Sequence, residues 1–403
     1  MNSEPKTAAR RRHALPGLLE GADLAEDGYF DAPFGLFSRQ KIKAMAARKL
    51  IQAERELEET QFQPASLDLR LGKEAYRVRA SFLPGRGHTV RERLQSLNAE
   101  RISLAGEGAV LEKGIVYVAP LLERLDLQPS LSGAANPKSS TGRLDIFTRL
   151  IVDGSDAFDE VPLGYRGELW IEISPRSFSV RVREGSRLNQ VRFRSRSPKH
   201  FSVFDFAMKD EEIRARHAAA PLVDGELALR EGLVVRVALS GGVDEIVGYR
   251  AIKNGDVIDV DKPHGYAAQD FWEPIRARAD KRLILDPDEF YILASREKLQ
   301  IPSDLAAEMA PIDPAIGEFR VHYAGFFDPG FGQGPGGAPC ARAVLEVRSR
   351  DVPFLIEDGQ PVGRLIFETL ADAADELYGS GATSNYQGQG LKLSKHFRDF
   401  REA

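Results

Sequence analysis

The sequence predicts a mainly β protein, built as two tandem β-barrel or sandwich units with a few short helices. Three observations lead there: short alternating segments bounded by turn residues, a second half that repeats the first at a fixed offset, and 403 residues, too many for one ordinary core.

The chain opens with MNSEPKTAARRRHALPG, which has the positive charge of a signal peptide but no apolar run behind it. It reads as a disordered lead-in over residues 1–25. A helix is expected next in SRQKIKAMAARKLI, Ser38 to Ile51, with Ser38 as cap and Ile42, Met45, Ala46 and Leu50 on one face. After it the text alternates. ASLDLRLGKEAYRVRASF, GIVYVAPLLERLDL, GELWIEIS and FSVRVREGSRLNQVRF read as strands of a sandwich or closed barrel.

The second half restates this pattern. GIVYVAPLLERLDLQP aligns with EFYILASREKLQIP, and WIEISPRSFSVRVREGSRLNQVRF with VLEVRSRDVPFLIEDGQPVGRLIF. Tyr117 falls on Tyr291, Glu172 on Glu346 and Phe193 on Phe367, each pair 174 apart (291 − 117, 346 − 172, 367 − 193). A register held at both ends indicates a tandem duplication. The join lies between Pro198 and Asp224, giving a first unit over 26–205 and a second over 206–403.

Bulk properties narrow the function. Hydrophobic residues at 42% and charged residues at 29% suit a globular chain. A net charge of −5 argues against a nucleic-acid partner, and no apolar run is long enough for a membrane span. The single cysteine, Cys340, excludes a disulfide framework within the chain and a zinc site built on several thiolates. A reducing cytoplasm is the expected location.

Four segments carry chemistry. KSSTGR reads as a loop in which Lys138, Ser139, Ser140 and Arg143 can neutralise and bond phosphate oxygens, although the glycine spacing is not that of a P-loop. Glu172 and Glu346 occupy matching points of two otherwise divergent strands. HYAGFFDPGFG, His322 to Gly332, reads as a hairpin with Asp328-Pro329-Gly330 as its turn. Backbone at Ala324 and Gly325 can pair with a base edge there, and Asp328 can accept from a sugar hydroxyl. The last segment, LYGSGATSNYQGQGLKLSKHF, is a glycine-rich polar tail, a composition shared by disordered tails and by those that close over a ligand.

Six of these segments, QPASLDLRLG, KSSTGRL, AGFFDPGF, VLEV, DGQPVGRLIFE and YGSGATSNYQGQG, stand in the order and rough spacing of the dCTP deaminases. The chain resembles that family, within the dUTPase-like superfamily, in its duplicated bacterial form, from about Phe37 to Phe397. The resemblance implies two dUTPase-like units and hydrolytic conversion of dCTP to dUTP and ammonia. Release of dUMP and pyrophosphate is the alternative enzymatic reading; a non-catalytic nucleotide-binding protein is the other. It further implies that Ser139 and Arg143 position the water, that Glu346, or else Glu172, activates it, and that Lys138 and Ser140 assist at phosphate. Asp328 would hold the 3′-hydroxyl, with Ala324 and Gly325 at the base. Tyr378, Tyr386 and Gln389 belong to the closing tail. Where family tails carry Lys, this chain has Asn385, so Lys392 or Lys395 is the expected substitute.

The chemistry asks for a base and an acid at C4 of cytosine, roles one buried carboxylate can fill. The zinc deaminases activate that water with His and Cys ligands, which one cysteine does not supply. Mg²⁺ is therefore expected only on the triphosphate. A homo-oligomer and inhibition by dTTP are also implied. The first copy keeps KSSTGR but reads VDGSDAFDEVPLGYRG in place of the hairpin. The second keeps the hairpin and Glu346, but has no serine and only Arg320 as a base between Met309 and His322. One composite site per chain is expected, joining Ser139 and Arg143 to Ala324, Asp328 and Glu346, within a chain or across two.

Overall fold

Alternation along the chain becomes two antiparallel sandwiches in the computed structural model, which describes residues 34–195, 206–242, 245–311, 319–321, 325–349, 351–380, 386–398 and 400. The expected lead-in over 1–25, Ala324 and Asn385 lie outside them.

In the first copy, the strand Val116–Asp126 pairs with Arg166–Pro175, which pairs in turn with Ile146–Val152. The facing sheet is centred on Asn189–Ser195 against Leu131–Pro137. The second copy repeats both sheets. Phe290–Leu299 pairs with Ala341–Ser349, and Leu305–Pro311 pairs with Pro361–Thr369. Alternate residues point inward and form the cores, with Leu293, Leu345, Leu365 and Phe367 fully buried in the second. Even minor contacts keep the offset of 174. The Glu112 amide donates to the Tyr117 hydroxyl and the Asp286 amide to the Tyr291 hydroxyl, both at 3.0 Å.

The expected early helix is shorter than its pattern, Arg39–Ala47. Ile42 and Met45 are buried, while Leu50 lies beyond the helix and Ile51 opens the next strand after Lys49 turns left-handed at φ 60°. Ser38 stands at the cap position, yet its hydroxyl donates to Asp372 of the second copy at 3.0 Å.

Residues Ala32–Ala403 form one compact unit rather than two separable barrels. The strand Ile258–Asp259 of the second copy adds in parallel to Val180–Val182 of the first. Arg194 and Glu368, which occupy the same position of the repeat, meet face to face as a buried ion pair at 2.5 Å. No helix among the described residues is long and apolar enough to cross a membrane.

Candidate active site

The residues of KSSTGR do not form the open loop expected from their composition. They make a single helical turn, Ser139–Gly142, between Leu131–Pro137 and Ile146–Val152. Four residues are too few to display a helical period, so the sequence hides it. The Lys138 carbonyl accepts from the amides of Thr141 and Gly142, at 2.9 and 3.0 Å.

At Gly142 the two copies meet closely. A Cβ there would lie 2.4 Å from Oε2 and 2.5 Å from Oε1 of Glu346. The carboxylate of the second copy is thus pressed against the serine turn of the first. Glu346 is 2% exposed and projects from the centre of Ala341–Ser349.

The other former half-site has a different fate. Glu172 is as buried as Glu346, but Arg149 stands directly opposite it on the neighbouring strand and donates to its Oε1 from Nε at 3.0 Å and Nη2 at 2.6 Å. The Arg149 guanidinium lies 3.5 Å from the Phe158 ring centroid, so an aromatic side chain covers the pair. Glu172 does not line the cavity that Glu346 lines. The alternative base is thus paired with an arginine away from that cavity.

That cavity, about 690 Å³, runs between the copies. It brings together Lys138, Ser139, Ser140 and Arg143 from the first with Asp328 and Glu346 from the second. Ser139, Arg143, Asp328 and Glu346, four residues of the expected composite site, thus line one cavity of a single chain. Ala324, part of that expectation, is outside the described residues.

The turn at Asp328 forms as expected: the Phe331 amide donates to the Asp328 carbonyl at 3.1 Å, and Gly330 has φ 89°. Among the described residues the strands on either side of the turn do not pair with each other, which corrects the hairpin expectation. Phe326–Phe327 before it pairs with Leu305–Pro311, and Ala341–Ser349 after it pairs with Phe290–Leu299 and Phe319–Val321. First-copy side chains hold both ends of Phe326–Phe327. The Gly325 amide donates to Asn136 Oδ1 at 2.6 Å, and Arg192 donates to the Phe327 carbonyl at 2.9 Å.

The tail follows the same surface. Tyr378 donates its amide to the Pro329 carbonyl at 2.7 Å, in the space left because Gly330 has no side chain. Further on, the ring centroid of Tyr386 is 3.8 Å from the Arg143 guanidinium. Arg143 donates to Gln389 Oε1 at 3.0 Å and to the Lys392 carbonyl at 3.1 Å. The Ser394 hydroxyl reaches the Ser140 carbonyl at 2.9 Å. Residues 386–398 therefore dock on the serine turn; residues 381–385 of the expected tail are not among those described.

The electrostatics grade along the cavity. Burial pushes the Asp328 carboxyl above the usual carboxylate range, and the adjacent Arg192 opposes the rise. Burial holds the Lys395 ammonium below the usual lysine value, with Lys138 adding to the drop. Lys395 lines the cavity; Lys392 does not and sits 5.9 Å from the Tyr386 centroid. Of the two expected substitutes, Lys395 has the position.

Sequence reasoning missed Asp68, which lies inside the quoted ASLDLRLG. Its carboxylate forms an ion pair with Lys138 in the cavity wall, and its Oδ1 is buried with no hydrogen-bond partner among the described residues. Arg143 Nε is orphaned in the same way. Two unsatisfied polar atoms on one cavity fit a polar ligand. Among the described residues no group of three or more His, Cys, Asp or Glu is placed to hold a metal ion.

Comparisons with known proteins converge on one family. The model for the 2′-deoxycytidine 5′-triphosphate deaminase (DCD) N-terminal domain matches residues 33–197, and that for the DCD C-terminal domain matches 209–397. The chain is similar to the crystal structure of 2′-deoxycytidine 5′-triphosphate deaminase from Agrobacterium tumefaciens, with 48% identity and a TM-score of 0.79, covering 84% of this chain and 99% of that one. It is 33% identical over 119 residues to a protein of Kocuria rhizophila named "dCTP deaminase, dUMP-forming", a match over 28% of this chain and 58% of the relative. A Parafrankia protein of the same name is 28% identical over 204 residues, 49% of this chain and 93% of the relative. The chain spans little more than half the length of the first curated relatives it matches.

Proposed function

The chain belongs to the dCTP deaminase family, and from that premise we propose that it hydrolyses the 4-amino group of dCTP at the cavity between its two copies. The observation that carries the reading is the buried Glu346 carboxylate held against the Ser139–Gly142 turn at Gly142.

Water attacks C4 of cytosine as Glu346 takes its first proton and passes it to N3; the C4 hydroxyl then gives its proton to Glu346, which delivers it to the amino group, so that C4 becomes a carbonyl and ammonia leaves. One carboxylate thus serves as base and then acid. Ser139 and Arg143 orient the water and stabilise the developing charge, and the stacked Tyr386 keeps solvent off the Arg143 guanidinium. Asp328 accepts from the 3′-hydroxyl. Lys138, Ser140 and Lys395 face the triphosphate, with Lys395 in the role that Asn385 cannot fill. Mg²⁺ arrives on those phosphates as part of the substrate; the wall carboxylates Asp68 and Asp261 are already paired with Lys138 and Arg183.

On the primary reading the product is dUTP. A second reading, further hydrolysis to dUMP and pyrophosphate in the same site, draws support from the names of the relatives. The test is to incubate the protein with dCTP and Mg²⁺, measure ammonia, and separate dUTP from dUMP. Glu346→Gln keeps the shape but takes no proton, so turnover falls on the order of 10²-fold or more while the protein stays folded. Near-normal turnover in that variant refutes the assignment of the base.

A further inference from the structure

Arg192 is the most deeply buried cation in the contact between the copies, with no solvent exposure. It belongs to the first copy, on Asn189–Ser195, yet its bonds go to the second. Nη1 donates to the Ala307 carbonyl at 3.0 Å, and Nη2 to the Phe327 carbonyl at 2.9 Å and to Asp328 Oδ1 at 3.0 Å. The guanidinium lies 4.0 Å from the centroid of Phe326. Its planar fork thus spans the strand that leads into the turn and that strand's neighbour, Leu305–Pro311, and ends on Asp328, which lines the cavity. The position 174 residues later holds Ile366, which has no donor to offer.

We infer that Arg192 is a positioning residue, which seats the Asp328 carboxylate at the sugar end of the cavity and so sets the preference for a nucleotide bearing a 3′-hydroxyl. The inference rests on the nucleotide reading of the site above. A buried carboxylate without a partner either takes up a proton or turns toward water; the first weakens its acceptance from a sugar hydroxyl and the second removes it. The charge that keeps it in place comes from the other copy. Asn136, bonding Gly325 at the opposite end of the same strand, fixes the backbone but leaves the carboxylate free to rotate.

The experiment compares dCTP with 2′,3′-dideoxycytidine triphosphate in wild type, Arg192→Met, Arg192→Lys, Asp328→Asn and the Arg192→Met/Asp328→Asn double variant, each checked for folding by thermal melt. Wild type should prefer dCTP. Arg192→Met should lower the preference on the order of 10-fold or more, through KM more than kcat, because the chemistry at C4 keeps Glu346. Arg192→Lys should retain part of it. In the Asp328→Asn background, adding Arg192→Met should change nothing further. Should Asp328→Asn itself keep the full preference, the nucleotide reading of Asp328 fails. If Asp328→Asn abolishes the preference but folded Arg192→Met keeps it, the inference about Arg192 is overturned. Should Arg192→Met not fold, Arg192→Lys decides, and an undiminished preference there overturns it equally.

Discussion

Replacing Gly142 by alanine adds one methyl group, and the structure specifies what that methyl meets. Its Cβ would sit 2.4 Å from Glu346 Oε2, 2.5 Å from Oε1 and 2.6 Å from Cδ. Ordinary contact begins near 3.4 Å, so the carboxylate has to retreat about 1 Å. Backbone strain plays no part, since Gly142 is not among the positive-φ residues and ends a helical turn. For the turn itself alanine is favourable by about 0.5–1 kcal/mol. Overpacking costs about 1–3 kcal/mol in the other direction, so net stability should fall by no more than about 2.5 kcal/mol. Activity is more sensitive. A displacement of about 1 Å at a reacting group costs on the order of 10²-fold in rate. Gly142→Ala should therefore melt within a few degrees of the wild type and release ammonia from dCTP on the order of 100 times more slowly. The assay is initial-rate ammonia release alongside a thermal melt. A folded Gly142→Ala protein with wild-type turnover would refute the idea that this contact places the carboxylate for chemistry.

Glu172→Gln should leave dCTP turnover nearly unchanged and lower the melting temperature, because Glu172 holds Arg149 rather than facing the cavity; a large loss of kcat would reverse the assignment of the two glutamates. Inactive Ser139→Ala and Glu346→Gln proteins, dissociated, mixed and reassembled, should recover no activity, since both halves of the site come from one chain, and tight binding should saturate at one dCTP analogue per chain. Docking of residues 386–398 should weaken in acid. Burial pulls His396 from 6.5 down to about 4, so the docked state favours the neutral ring. Its contribution is complete above about pH 6.5 and falls by about 1.4 kcal/mol per unit as the pH drops toward 4. Limited proteolysis of the tail at pH 7.5 and pH 5 should show the difference, and His396→Gln should flatten it.

What the sequence reveals and what it hides divide along the range of the interaction. The duplication was legible because it is a matter of order along the chain, and the two glutamate strands were legible because alternation is a local property. Which glutamate faces the cavity was not. That depends on Arg149 lying across from Glu172, and a cross-strand register is set by turns whose lengths no pattern announces. Asp68 and Lys395 were missed or left open for a related reason: they reach one cavity from opposite ends of the chain, and folding alone brings them together. The serine turn was read as a loop because one helical turn is shorter than any period. The Asp-Pro-Gly turn was read correctly, its partner strand incorrectly, since turn chemistry is local and strand pairing is not.

The face-to-face pair of Arg194 and Glu368 bears on how the two copies can be separated. Both residues descend from one ancestral position, and they now carry opposite charges in a dry contact. Two first copies meeting by this surface would bring arginine to arginine; two second copies would bring glutamate to glutamate. Each is a like-charge burial without compensation. A gene cut near residue 200 into two independent fragments would therefore yield partners that reject their own kind and accept one another. Opposite charges at one position of the repeat thus favour the pairing of unlike copies over that of like ones.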